Sequence, residues 1–315
     1  MQPLISVITP AYNAAKYIAK SIESVIHQSF PDWELIIVDD GSTDNTKSIV
    51  QSYCELDSRV KYVFQENGRQ GKARNTGLAL ACGILLAFLD ADDVWLPEKL
   101  SIQTRQMQSS EADLIFSDSF IFSENEEIEG GTKQLKKFNV STGLYCGETG
   151  VGSFLARNHV SILTVLVKKD ALLKAGGFTE DRAIQNAEDY HLWLKLLMEG
   201  FTFFGFGDVL AAYRKHGESV SDESGANLEQ VIEAKLNLVK LYPAWGKHIM
   251  ASLPKTLGDN LGVISKCSPD KFYSSIDQYL RLADKKEWLI FYKSCKLFKA
   301  EKLALRSFYF IMRYL

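Results

Sequence analysis

In the stretch ELIIVDDGSTDNTKSIVQSYCE (residues 34–55), an apolar run from Leu35 to Val38 breaks into two acids and a glycine, and a helix-permissive polar segment follows. A short run rich in β-branched residues and closed by turn residues reads as a buried strand. Gly41 suits the bend, and Ser42 or Thr43 stands where a helix cap is wanted. Strand, acidic turn and helix together form the repeating unit of an α/β sheet. The unit extends both ways. Upstream, LISVIT (4–9) is stopped by Pro10, and residues 11–30 place Ile18, Ile22, Val25 and Ile26 on one helical face. Downstream, VKYVFQE (60–66) reads as a strand, GKARNTGLALACG (71–83) as a helix and ILLAFLD (84–90) as a strand. The order predicts an α/β fold with a mostly parallel, Rossmann-like central sheet flanked by helices.

The remainder is less regular. ADLIFSDSFIF (112–122) reads as a strand and residues 123–139 as a charged, glycine-containing loop. VSILTVLVKKDALLKAGGF (160–178) reads as a strand and a helix stopped at Gly176-Gly177, AEDYHLWLKLLMEG (187–200) as a helix, and FTFFGFGDVLAAYRKH (201–216) as two strand-like pieces. A polar stretch at 219–227 marks a boundary. It divides a catalytic domain, 1–221, from a helical C-terminal region, 222–315. Within the first, 1–100 form a nucleotide-binding half and 101–221 an acceptor or sugar half.

Composition narrows the class. At 46% hydrophobic and 24% charged, the 315 residues have ample core material. A net charge of −3 gives no nucleic-acid bias. The charge is uneven, because Arg281 to Leu315 carries nine basic residues against three acidic ones. No run reaches the roughly 18 apolar residues of a spanning helix, and the N-terminus lacks the pattern of a secretory signal. Five scattered cysteines without a CxxC pair speak against disulfides and structural zinc. A cytoplasmic location is expected, at the inner face of the membrane if the basic tail meets lipid.

In α/β sheets, ligands bind beyond the carboxyl ends of the strands. Three predicted strands deliver polar groups there: Pro10, Tyr12 and Asn13; Asp39 and Asp40; and Asp90, Asp92 and Asp93. Like charges packed as densely as DADD (90–93) gain nothing for the fold. They suit a hard cation such as Mg²⁺ or Mn²⁺, which takes one or two carboxylates and leaves positions for phosphate oxygens. A solvated acidic turn is the competing account. Lys72 and Arg74 open a helix, an arrangement that attracts phosphate or merely solvates a turn. The spacing is not that of a P-loop. Glu188 and Asp189 in a first turn either favour the helix dipole or include a general base. Arg214 and His216 in YRKHGESVS (213–221) are candidates for a diphosphate or a metal.

PAYN (10–13), DDGSTD (39–44), GKARNTG (71–77), DADD (90–93), GGF (176–178), EDYHLWLKL (188–196) and YRKHGESVS, in this order and spacing, resemble family 2 glycosyltransferases, nucleotide-sugar-dependent enzymes of the GT-A fold. The resemblance covers about residues 4–221. It implies that Pro10, Tyr12 and Asn13 line the nucleotide pocket, and that Asp40, with Asp39 beside it, contacts the base, commonly uracil. It implies Arg74, with Lys72, near the nucleotide. Asp90, Asp92 and Asp93 would serve the ribose and the metal-bridged diphosphate, His216 the metal or diphosphate, and Asp189 catalysis as base. The implied activity is inverting transfer from a nucleotide-sugar, UDP-linked by expectation, to a glycan or lipid-linked acceptor in cell-surface polysaccharide synthesis. A divalent metal is the implied cofactor. A sugar-1-phosphate nucleotidyltransferase is the alternative enzyme, but the first loop, PAYNAAKYIAK, lacks its glycine-rich basic signature. A non-catalytic nucleotide-sugar-binding protein would have lost the acids, all of which are present. For the tail, packing against the catalytic domain or a second subunit, as in a homodimer, competes with peripheral membrane contact.

Overall fold

The computed structural model describes residues 3–123, 135–216 and 225–259. The chain alternates β1 (Ile5–Ala11), α1 (Ile18–Ile26), β2 (Trp33–Asp39), α2 (Thr46–Leu56), β3 (Val60–Phe64), α3 (Arg69–Leu80) and β4 (Leu85–Phe88). It continues with β5 (Val94–Trp95), α4 (Lys99–Ser110), β6 (Leu114–Ser123), β7 (Lys136–Lys137), β8 (Gly143–Tyr145), α5 (Gly147–Ala156), β9 (Val165–Lys168), α6 (Lys169–Lys174), α7 (Glu188–Met198) and β10 (Phe203–Lys215). Two helices follow, α8 (Gly225–Leu241) and α9 (Gly246–Asp259).

The strands form one sheet in the order β3-β2-β1-β4-β9-β6-β10-β5, with β7 on β6 and β8 on β10. The first half is parallel throughout: β2 pairs with β3 and β1, and β1 with β4. In the second half β9 runs antiparallel between β4 and β6, while β6 and β10 are parallel to each other. The sheet as a whole is therefore mixed. Because β9 reverses twice over, β1, β2, β3, β4, β6 and β10 all end on one edge.

Burial explains the apolar runs. Ile8, Ile36, Val38, Leu86 and Phe88 face one helical layer, with α5 and α7. Their neighbours Val7, Leu35, Ile37 and Ala87 face the other, with α1. Strands covered on both faces lose polar alternation. The region at 201–216, read as two pieces, is a single 13-residue strand interrupted by register shifts between Gly205 and Val209 and between Val209 and Ala211. Helix α5, GETGVGSFLA, escaped the sequence reading because its three glycines are poor helix formers. Tertiary packing holds it: Phe154 is buried, and its carbonyl accepts from the Tyr190 hydroxyl of α7.

Helices α8 and α9 lie on this body. Leu238 and Ile249 join the cluster that contains Phe154 and Leu192, and the buried Lys235 donates to the carbonyl of Leu155. Residues 260–315, with the basic tail and its expected membrane or subunit contact, lie outside the described residues.

Candidate active site

The shared strand edge begins with two loops stapled together. Asn13, in left-handed backbone (φ 49°), donates its N–H to Ser42 Oγ at 2.9 Å, and its side-chain oxygen accepts from the Thr43 N–H at 2.8 Å. Ser42 is thus not the cap of α2. The cap position is Asn45, which makes no side-chain cap bond; Asp44 before it accepts from the Thr46 N–H at 2.9 Å and also from the Ala15 N–H at 3.0 Å. Tyr12, beside these contacts, is 56% exposed. Asp39 and Asp40 are both buried, and they part company in direction. Asp39 accepts from the Ser42 N–H of its own loop and from the Tyr62 hydroxyl of β3, one bond to each oxygen. Asp40 turns to the next loop, accepting from Gln65 Nε2, the Gly68 N–H and the Arg69 N–H, and so fixes the start of α3. A carboxylate has about four lone-pair positions, so Asp40 keeps one.

Helix α3 explains the GKARNTG motif residue by residue. A Cβ at Gly71 would stand 2.3 Å from the carbonyl oxygen of Thr179, and one at Gly77 would stand 2.4 Å from Ile8 Cγ2. Only glycine permits such approach. Asn75 pins the GGF turn, accepting from the Phe178 N–H at 2.9 Å and donating to its carbonyl at 3.0 Å. Gly176 and Gly177 adopt φ of 74° and 70°, which a residue with Cβ rarely does. Lys72 is exposed, whereas Arg74 is 1% exposed. Arg74 extends one arm to Asp90 Oδ1 at 2.8 Å and the other to Glu188 Oε1. Expected near the nucleotide, it is enclosed between two acids.

Asp189 follows Glu188 in the first turn of α7. One of its oxygens accepts from the Tyr190 N–H at 2.5 Å. Burial raises both carboxyls, Glu188 to about 7 and Asp189 to about 6, against the opposing pull of Arg74. Groups poised near neutrality suit general-base chemistry.

The three acids of DADD divide. Asp90 meets Arg74. Asp92, half-buried, contacts His216 Nε2 through Oδ2 at 2.8 Å, and its carbonyl accepts from Arg214 Nε at 2.7 Å. Asp93 is fully buried. Its Oδ1 accepts from the Arg214 N–H at 2.8 Å, and its Oδ2 has no hydrogen-bond partner among the described residues. Burial, with the charges of Asp92 and Asp90, holds it well above the usual carboxylate range. The expectation that Asp93 ligates a metal thus meets a carboxyl built into the wall. Ser21 secures the turn from below, donating to the carbonyls of Ala91 and Asp93. His216 packs on the ring of Tyr17, whose face also carries Arg214.

Among the described residues, no three His, Cys, Asp or Glu side chains group as a closed metal site. Asp92 and His216 fit an open one. Asp92 offers the carboxylate oxygen that Mn²⁺ or Mg²⁺ takes, and the His216 imidazole, on exchanging its bond to Asp92 for the cation, would add a nitrogen to a Mn²⁺ site, with the remaining positions left to phosphate and water. Ser21, Gln65 and Tyr17 were missed by sequence reasoning. Ser21 lies on α1, whose apolar periodicity absorbed it, Tyr17 directly precedes that helix and Gln65 directly follows β3, and no local signal singled them out.

The profile of glycosyl transferase family 2 matches residues 6–150. The chain is 36% identical over 221 residues to the putative teichuronic acid biosynthesis glycosyltransferase TuaG of Bacillus subtilis (strain 168), across 70% of this chain and 82% of that protein. It is 32% identical over 231 residues to the UDP-Glc:alpha-D-GlcNAc-diphosphoundecaprenol beta-1,3-glucosyltransferase WfgD of Escherichia coli, across 72% of this chain and 83% of that protein. Among solved structures, S. aureus TarS 1–349 in complex with UDP-GlcNAc superposes with a TM-score of 0.66 at 20% identity, over 98% of this chain and 90% of that one.

Proposed function

The chain belongs to glycosyl transferase family 2 and has the GT-A fold, and on that premise we propose that it moves a sugar from a UDP-sugar to a hydroxyl of a glycan or lipid-linked acceptor, with inversion, in cell-surface polysaccharide synthesis. The chain is a glycosyltransferase by membership; donor, acceptor and stereochemistry belong to the proposal. One observation carries it. Asp90 and Asp92 at the end of β4, His216 beyond β10 and Asp189 at the start of α7 converge on the strand edge, with Asp189 joined to Asp90 through Glu188 and Arg74. The polysaccharide setting and the UDP-linked donor are supported by the names of TuaG and WfgD and by the ligand of TarS.

In this mechanism the nucleotide lies over Pro10, Tyr12, Asn13 and Asp40, and the one open lone pair of Asp40 suits the single imide N–H of uracil. Asp90 faces the ribose, and Lys72 stands exposed beside the nucleotide. Asp92 and His216 would hold a divalent cation, which would neutralise charge on the departing diphosphate. The acceptor oxygen attacks the anomeric carbon opposite the leaving group. The bond from that carbon to the diphosphate oxygen breaks, its electron pair leaves with UDP, and the acceptor proton passes to Asp189. A single in-line displacement inverts the centre, by the stereochemical logic known from glycosidases. Arg74 and Asp93 touch neither substrate here.

The lipid-linked acceptor agrees with the name of WfgD. Contact of the basic stretch after Arg281 with anionic lipid at the inner membrane face is part of the proposal. Among the described residues no helix is long and apolar enough to cross a membrane. The test is a hydrolysis and binding screen of UDP-, GDP- and dTDP-sugars with Mn²⁺ or Mg²⁺, run beside Asp189→Asn. Turnover of a UDP-sugar, lost by about 10²–10⁴-fold in the variant while UDP still binds, is expected. Undiminished turnover in Asp189→Asn refutes the base assignment.

A further inference from the structure

The following rests on the transferase reading, with Asp189 as base. Arg74 differs from Lys72, its exposed neighbour, in being sealed from solvent, with a side chain 2% exposed. Its two arms reach partners at very different chain distances: Asp90 is 16 residues away and Glu188 is 114. Among the described residues, neither acid is paired with another cation. Asp90 ends the donor-side strand β4, and Glu188 opens α7 directly before Asp189. The guanidinium therefore spans the two walls of the cleft.

The rest of α3 makes the same crossing. Gly71 brings the helix against the Thr179 carbonyl, and Asn75 holds both backbone groups of Phe178. The Phe178 ring lies 5.6 Å from the Arg74 guanidinium. Three successive contacts along one helix thus fasten the segment leading into α7 to the nucleotide half. A planar guanidinium can serve two carboxylates at once in fixed geometry, which an ammonium cannot do.

We propose that Arg74 is a positioning residue: it ties the Asp90 end of β4 to the start of α7, and so sets the distance and aim of Asp189 toward the donor. The charge arrangement adds a second consequence. The charged groups facing Asp189 are Arg74 from α3, Asp90 from the end of β4 and Glu188 from its own helix. Arg74 favours the carboxylate form of Asp189 and Asp90 opposes it. Removing the cation must move protonation of the base to higher pH. Neutralising Glu188 leaves the cation less compensated and must move it lower.

The test uses the full chain with Mn²⁺ and the faster of UDP-glucose and UDP-N-acetylglucosamine, measuring UDP affinity, kcat, KM and the acidic limb of the kcat profile. Arg74→Lys should fold, bind UDP within about threefold of wild type, and lose about 10- to 100-fold in kcat, the scale of a misplacement near 1 Å. Arg74→Met should shift the acidic limb upward, and Glu188→Gln, which still accepts a hydrogen bond from Arg74, should shift it downward. If Arg74→Met fails to fold, Arg74→Lys and Glu188→Gln still decide. Unchanged kcat in Arg74→Lys overturns the proposal, as does loss of UDP affinity at constant kcat, which would make Arg74 a nucleotide ligand. Limb shifts of one sign in Arg74→Met and Glu188→Gln overturn it too. A wild type inactive on both donors would instead sink the transferase reading beneath it, and an active Asp189→Asn the base assignment alone.

Discussion

Gly71→Ala sets two effects of known size against each other. Within a helix, alanine is favoured over glycine by about 1 kcal/mol, so propensity alone predicts a more stable protein. The structure predicts the reverse. The new Cβ would stand 2.3 Å from the Thr179 carbonyl oxygen, whereas carbon and oxygen normally settle near ~3.3 Å. About 1 Å must open. The obstructing atom is backbone, and it cannot swing aside, because Phe178 immediately before it is held at both its N–H and its carbonyl by Asn75. Overpacking of this kind costs about 1–3 kcal/mol. Set against the propensity gain, the net loss is about 0–2 kcal/mol, or up to roughly 8 °C in Tm for a chain of this size class. Activity should suffer more than stability. The opening separates α3 from the approach to α7, one helical turn from Arg74 and its bond to Glu188, and a displacement of that size costs about 10²-fold in kcat. Urea melts and donor turnover on the purified variant provide the measurement. A protein as stable as wild type, with unaltered kcat, would refute the close packing of α3 on the loop before α7.

Two further outcomes follow from the site. His216→Ala should raise the Mn²⁺ concentration needed for half-maximal turnover by at least about tenfold while leaving UDP affinity without metal unchanged, as read by metal titration; an unaltered metal requirement would remove His216 from the cation site. Glu188→Gln should flatten the pH dependence of stability. Glu188 stands at about 7 in the folded protein against 4.5 as a free group, so its contribution is full below about pH 4.5 and is lost as pH rises through 7. Wild type should thus lose, relative to the variant, about 1–3 kcal/mol between pH 4.5 and 7.5 in urea melts. A relative gain over that window would contradict the raised value.

The parallel half of the fold was legible because each of its strands and helices is a local pattern. β1, β2 and β4 announce themselves by apolar runs, and their polar ends fall on one edge without knowledge of any contact. What stayed hidden was pairing. That β9 enters antiparallel between β4 and β6 depends on partners far away in sequence, and nothing in TVLVKK declares a direction. The site shows the same division. DADD stood out as a cluster, but which acid faces the cleft depends on the turn that hands the Asp93 carboxyl to the backbone of Arg214. Arg74 looked like a phosphate ligand because basic residues at helix starts commonly are. Its true neighbour, Glu188, lies 114 residues further on. Two adjacent acids, Asp39 and Asp40, could not be told apart by type, though one closes its own loop and the other organises the next.

The reversal of β9 has a consequence for how such an enzyme diversifies. Because β9 starts level with the end of β4, pairing Leu166 with Ala87, the segment before it emerges at the same rim as the donor loops, and Trp95 holds it there through the Leu163 carbonyl. That segment hangs from the antiparallel side of the sheet, outside the run of parallel crossovers from β1 to β4. Its length and side chains can drift without altering the register of β1, β2 or β3. Under the proposed function, the donor side of the cleft would thereby stay fixed while the opposite bank stays open to rewriting for new acceptors.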